Sequence, residues 1–372
     1  MEQHNEARQE RLVRELRELY ESLGYTRFPM RRFEEYALYL ENKSFLKSES
    51  VLTFTNPDGK LMALKPDVTL SIVKHARPEP GGVEKLYYNE SVYRLSATAR
   101  EFVEIEQMGV EFMGEVDDCA VSEVVRLALE SLRRTGEEYV LDVSHMGFAG
   151  GLMAAAGLTG ESKERLFALI RQKNAHELAR AIAEENVPAF YAERITALAG
   201  LSGKFEETLA RAQQVAVSGE MQQALTELQA LHAALSAVGL GDRLRLDFSI
   251  LNDLDYYNGI VFQGYVQGAP RAVLSGGRYD HLMRRFGKAG DGIGFALYLG
   301  ELTQLLSDRR ELDVDALLLY SPQDDAARVS AAVFALAAQG QRVLAVTHAP
   351  AGLRAGKTLR FDGEGFAEVE PC

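Results

Sequence analysis

Apolar residues fall at Leu12, Leu16, Leu19 and Leu23, three and four apart, which marks one face of an amphipathic helix over residues 5–23. Gly24 is placed to stop it, and a second helical stretch is predicted over 31–40. The period then changes. Residues 50–56 and 60–64 are short alternating runs around Asn56-Pro57-Asp58-Gly59, where proline fixes one dihedral and glycine permits a positive one, so a hairpin is expected. Strands follow over 83–94 and 104–112, and a helix over 119–135. The Leu64-Lys65-Pro66-Asp67-Val68-Thr69 stretch reads most simply as a loop, with Thr69 capping a helix over 70–75.

From 147 to 240 the chain turns to Ala, Leu, Glu and Gln with helical periodicity throughout, clearest over 179–185, 204–217 and 221–238. Strands resume at 243–248 and 256–265. A glycine-rich loop is predicted at Ser275-Gly276-Gly277-Arg278-Tyr279-Asp280, and 292–306 begins as a strand and ends as a helix. The runs 316–319, 326–339 and 342–346 read as strand, helix, strand. The expected organisation is a core from 1–146 and 241–308, a helical insertion over 147–240, and a small α/β unit over 313–372. There is no internal repeat and no low-complexity segment.

Composition changes this picture little. Hydrophobic residues make up 47% and charged residues 26% of 372, as in soluble globular chains. The polar start of the chain and the lack of a long apolar run predict a cytosolic protein. A net charge of -13 argues against a broad nucleic-acid surface, which needs a concentrated basic face. Cys119 and Cys372 have neither a disulfide framework nor zinc spacing, and the histidines are scattered, so no metal is expected. The glycines at 276 and 277 fit neither a phosphate loop nor a dinucleotide fold, so no cofactor is expected.

Three segments carry candidate chemistry. Alternation over 104–112 puts Gln107 and Glu111 on one face with Gly109 between them: a floor for a small cationic ligand, or equally a solvated sheet face. Tyr256 and Tyr257 stand in a run predicted as strand, suited to a half-buried binding surface or to plain sheet packing. Gly276-Gly277 permits a close approach to a ligand, or a sharp turn.

Together with Leu64–Thr69 and in this order, these segments resemble histidyl-tRNA synthetase over about 12–306. Gly24-Tyr25 with Pro29, Val92-Tyr93-Arg94 and Gly292-Ile293-Gly294-Phe295-Ala296 match its motifs 1, 2 and 3. The resemblance implies an α+β fold of class II synthetase type, an antiparallel sheet flanked by helices. By the same resemblance Asp67, Thr69 and Gln107 hold the amino group of histidine, Glu111 and Tyr257 the imidazole, and Tyr279 closes the pocket, with Arg94 and Tyr256 in the same site. An imidazole between a carboxylate and a phenol has a partner for each ring nitrogen.

The departures imply lost catalysis. Asn252 and Val103 stand where the synthetases have arginines, Glu301 replaces the motif 3 arginine, and Ser96-Ala97-Thr98 replaces a Glu-Arg-Pro stretch. Adenylation needs preorganised positive charge on the triphosphate, and a glutamate there repels it. Residues 313–372 are also shorter than a synthetase anticodon-binding domain. A chain that keeps this core, loses these arginines and trims the C-terminus is similar to the regulatory subunits of ATP phosphoribosyltransferase. That family implies a non-catalytic, histidine-binding subunit, homodimeric within a hetero-oligomer with the short catalytic subunit in the first step of histidine biosynthesis. The alternatives are an atypical histidyl-tRNA synthetase and a tRNA-sensing module.

Overall fold

The computed structural model describes residues 8–43, 46, 50–78, 81–96, 100–251, 256–306, 312–363 and 365–369. Contacts divide the chain into two units, Leu12–Leu305 and a smaller one of Met1–Arg11 with Leu306–Cys372. Among the described residues no helix is long and apolar enough to cross a membrane.

The chain opens with α1 (Arg8–Ser22), which buries Leu12, Leu16 and Tyr20 at four-residue spacing. Gly24 follows at φ 82°, a conformation that favours glycine, and the chain turns into β1 (Thr26–Arg27). The stretch predicted as one helix over 31–40 instead splits into β2 (Phe33–Glu35) and α2 (Tyr36–Glu41). Its first half is drawn into a sheet, with Phe33, Glu34 and Glu35 pairing with Leu64, Ala63 and Met62. The predicted hairpin forms as β3 (Thr53–Thr55) and β4 (Leu61–Leu64), antiparallel around the Asn56–Gly59 turn.

Next comes α3 (Val68–His75). Its cap is Asp67, not Thr69: Asp67 is extended and its carboxylate accepts the Leu70 amide at 2.9 Å. The strands β5 (Val83–Leu95) and β6 (Phe102–Gly114) pair in register over their full lengths. From Gln107 onward β6 is buried on both faces, so it lies inside the larger unit. Helix α4 (Asp118–Arg133) is capped by Asp117, which accepts the Ala120 amide at 2.8 Å. Asp117→Ala is expected to cost about 1 kcal/mol of stability, read from urea unfolding.

After β7 (Tyr139–His145) come α5 (Met146–Ala155), α6 (Gly160–Arg171), α7 (Ala175–Glu184), α8 (Ala189–Ala199), β8 (Ser202–Lys204), α9 (Phe205–Val215) and α10 (Gly219–Ser236). The sheet resumes with β9 (Leu244–Asp247) and β10 (Ile260–Val266). The strand predicted from Tyr256 thus starts only at Ile260; before it, the Asn258 amide bonds the Arg278 carbonyl and Gly259 packs under the Arg278 side chain. The predicted glycine-rich loop is a strand, β11 (Leu274–Arg278), followed by α11 (Asp280–Arg285), β12 (Asp291–Tyr298) and α12 (Leu299–Leu306). Glycine occurs within β11 because of close approach. A Cβ at Gly276 would lie 2.4 Å from the Gly294 carbonyl, and one at Gly277 2.7 Å from the Tyr257 ring.

Nine strands form one sheet in the order β1-β5-β6-β12-β11-β10-β7-β9-β8. It is antiparallel from β5 through β7, with parallel pairing only at β1–β5 and β7–β9. Helices α1 and α4 back one face: Tyr20 meets Phe295, and Leu132 fills the space above Gly264. The opposite face carries α3 and Tyr257.

The smaller unit holds β13 (Val314–Leu319), α13 (Ala326–Ala338), β14 (Val343–Val346), β15 (Ala355–Phe361) and β16 (Phe366–Val369). The strand-helix-strand expectation therefore gains two strands, with sheet order β14-β13-β15-β16. Ala316, Leu318, Val329, Leu336, Leu359 and Phe361 form its core.

Candidate functional site

A cavity opens on the sheet face opposite α4, with about 380 Å³ of non-atom space including its mouth. Strand β6 supplies Gln107 and Glu111, which project to the same side because they are four residues apart in a pleated strand. The N-terminus of α3 brings Asp67 and Thr69 over them. Tyr256 and Tyr257 approach from the segment before β10, Tyr279 from the end of β11, and Arg94 from β5. These eight residues, all expected from the sequence, line one cavity.

Glu111 is its chemical centre. It is buried, its Oε1 accepts the Thr69 hydroxyl at 2.6 Å, and its Oε2 accepts the Tyr279 hydroxyl at 2.6 Å. Tyr256 in turn is hydrogen-bonded to Thr69, so a chain of hydroxyls converges on one carboxyl group. Burial pushes Glu111 up to about 8; the Thr69 and Tyr279 hydrogen bonds oppose this and the Asp67 charge adds to it. Tyr88, Tyr256, Tyr257 and Tyr279 are held well above the usual phenol range by burial, so they act as neutral hydroxyls. Tyr256 and Tyr257 lie with ring centroids 4.6 Å apart, and Tyr256 meets Tyr279 edge-on at 6.3 Å.

Asp67 is the second carboxylate. Arg94 faces it at 3.4 Å and donates from Nε to the Pro66 carbonyl at 2.8 Å. Two carboxyl groups, Asp67 and Glu111, make the cavity acid-rich and suited to a cationic ligand. Gln107 completes it: its buried amide nitrogen has no hydrogen-bond partner among the described residues. An unmet donor at such depth costs about 1–3 kcal/mol, which a ligand acceptor would recover.

Glycines make the floor. A Cβ at Gly294 would sit 2.0 Å from Glu111 Oε2, and one at Gly109 2.7 Å from the Tyr88 hydroxyl. Ser275 and Ala296, which fall within sequence motifs but were given no role there, also line the cavity, as do Tyr88 and Tyr298, which the sequence did not point to. The 292–296 motif pointed to the floor itself, but no local signal distinguishes Tyr88 or Tyr298 from other strand tyrosines.

Of the positions read as lost arginines, Val103 and Glu301 are not among the residues that line the cavity. Val103 pairs with Arg94 across β5–β6 and is 37% exposed. Glu301, on α12, pairs with Arg271 at 3.2 Å. Asn252 and Ala97-Thr98 lie outside the described residues.

Comparison with known proteins is consistent with this architecture. The histidyl-tRNA synthetase family model matches residues 2–302. The chain is 31% identical over 320 residues to the ATP phosphoribosyltransferase regulatory subunit of Geobacter metallireducens, covering 83% of this chain and 73% of that one. In fold it is similar to an ATP phosphoribosyltransferase regulatory subunit/histidyl-tRNA synthetase from Bacillus halodurans, with TM-score 0.75, 23% identity, and 91% and 88% of the two chains covered. It is also similar to a chain of the ATP phosphoribosyl transferase (HisG:HisZ) complex from Thermotoga maritima, with TM-score 0.62, 17% identity, and 78% and 97% covered. The protein therefore belongs to the family of ATP phosphoribosyltransferase regulatory subunits, on a histidyl-tRNA synthetase fold.

Proposed function

We propose that this protein is a non-catalytic subunit that assembles with a short-form ATP phosphoribosyltransferase, activates it, and relays feedback inhibition by L-histidine. The observation that carries the reading is the cavity itself. It offers a buried carboxyl at Glu111 for an imidazole, an acid at Asp67 for an ammonium group, and an unpartnered amide at Gln107. Asp67, Thr69 and Gln107 take the backbone end of histidine, and Glu111 and Tyr257 take the ring. Glu301 in place of the motif 3 arginine supports the absence of adenylation, which needs a cation aimed at the triphosphate.

Feedback requires histidine to bind the active and inhibited assemblies with different affinity, typically by about 5- to 150-fold. A homodimer within the complex is supported by the small sheet β2-β4-β3, where Phe33, just after the motif 1 region, is exposed together with Phe54 and Leu61. Phe33 and Phe54 lie edge-to-face at 5.4 Å, an apolar pair suited to burial against a second copy.

The test is direct. Adding this protein to a short-form ATP phosphoribosyltransferase is expected to raise phosphoribosyl-ATP formation, and L-histidine is expected to lower it again. If neither the activity nor its histidine sensitivity depends on this chain, the reading fails.

A further inference from the structure

The cavity-facing side of β12 reads Gly292, Gly294, Ala296, Tyr298, every second residue of the strand. At the first two positions a side chain would collide with the Tyr279 ring and the Glu111 carboxyl, at 2.2 and 2.0 Å from the Cβ. Tyr279 and Glu111 fill those two places, and Ala296 adds only a methyl group, so β12 itself projects no bulk before Tyr298. Tyr298 then ends the run with a full phenol ring.

Pairing fixes which end this is. Tyr298 lies directly opposite Gln107 on β6, while Gly294 lies opposite Glu111. Tyr298 therefore stands at the Gln107 end of the cavity, away from the Glu111–Tyr279 pair. Its hydroxyl lies 2.6 Å from Ser275 Oγ, and Ser275 pairs with Ala296, one step back along the floor. That tether holds the ring toward β11, level with Ala296, instead of letting it extend along the strand.

We infer that Tyr298 is a specificity-determining end wall: it admits a free amino acid and excludes ligands that carry a bulky group on the carboxyl carbon. The inference rests on the reading that L-histidine lies with its ring at Glu111 and its backbone end at Gln107. The excluded class is acylated histidine, as in esters, amides, peptides and mixed anhydrides. The cavity so bounded reports free histidine alone. Excluding a ligand by a steric wall is specificity by clash, which needs no extra contact to the correct ligand.

Titration calorimetry of the full chain tests this with L-histidine, L-histidinamide and L-histidine β-naphthylamide. The two amides lack the carboxylate charge equally, so their ratio reads size alone. The protein is expected to bind histidinamide at least about 50-fold more tightly than the naphthylamide. In Tyr298→Ala and Tyr298→Leu that ratio is expected to fall below about 5-fold. Two variants are used so that a folding defect in one, seen by circular dichroism, does not decide the matter.

A ratio near one in the unsubstituted protein, or a ratio unchanged in both variants, overturns the wall and leaves the histidine reading intact. Folded variants that lose L-histidine altogether would assign Tyr298 to holding the ligand, and also overturn the wall. Absence of L-histidine binding by the unsubstituted protein would overturn the histidine reading, and the inference with it.

Discussion

Replacing Glu111 by alanine is expected to weaken L-histidine binding by about 100-fold or more, measured by isothermal titration. The carboxyl is buried and accepts from Thr69 and Tyr279 at 2.6 Å each. Its loss removes the acceptor for the ring and leaves both hydroxyls without their partner. A protonated imidazole draws Glu111 into its ionised form, and hydrogen bonds to charged groups contribute about 1.5–3 kcal/mol each, so losing one or two reaches that range. Unchanged affinity in the variant would remove Glu111 from the binding site.

The same residue predicts a pH dependence without ligand. Burial lifts Glu111 to about 8, above the range of an unfolded glutamate. Between those two values the folded protein keeps a proton that the unfolded chain has released. Stability therefore falls as pH rises through this window, by up to about 1.4 kcal/mol per unit, and levels off above the folded value. Glu111→Gln cannot ionise and is expected to flatten that slope in urea unfolding between about pH 5 and pH 9. An identical slope in the two proteins would assign the pH dependence elsewhere.

Gly294→Ala is expected to destabilise the protein by about 3 kcal/mol and to abolish the cavity's floor. The added methyl would lie 2.0 Å from Glu111 Oε2 and 2.4 Å from the Val110 carbonyl. The carboxyl group could swing away only by breaking its bonds to Thr69 and Tyr279. The carbonyl belongs to the neighbouring strand β6, so relief there requires β6 and β12 to part. The contrast is Gly150→Ala in α5, where nothing lies within 4 Å of the new atom. Helix propensity predicts no loss there, and a gain of up to about 1 kcal/mol. Thermal unfolding that treats both substitutions alike would contradict the close-approach account of the floor.

Much of this was legible along the chain. Leu12 and Leu16 announce α1 because a helix repeats every 3.6 residues, and Asn56-Pro57-Asp58-Gly59 announces its hairpin because few residues tolerate those dihedrals. Gln107 and Glu111 could be assigned to one side of a strand from the pleat alone. The eight candidate site residues came from ordered motifs, each weak in isolation.

Other features depend on partners distant in sequence. Residues 33–35 have the spacing of a helix but pair with 62–64, since a sheet edge offers hydrogen bonds that local propensity does not register. Ser275–Arg278 looks like a loop because glycine usually marks one, yet these glycines lie within a strand to make room for Tyr257, Phe262 and Phe295. Thr69 reads as a helix cap, but Asp67 takes that role and frees the threonine hydroxyl for Glu111.

Local periodicity and turn chemistry thus determined, from the sequence alone, which segments are helix or strand over most of the core, and which side of β6 bears Gln107 and Glu111. The tertiary structure alone decided that β6 is buried on both faces, that Glu111 sits between two hydroxyls, and that Tyr88 and Tyr298 bound the cavity. The physical reason is range: pleat and helix repeat act over a few residues, whereas Glu111 and Tyr279 meet across 168 positions of chain.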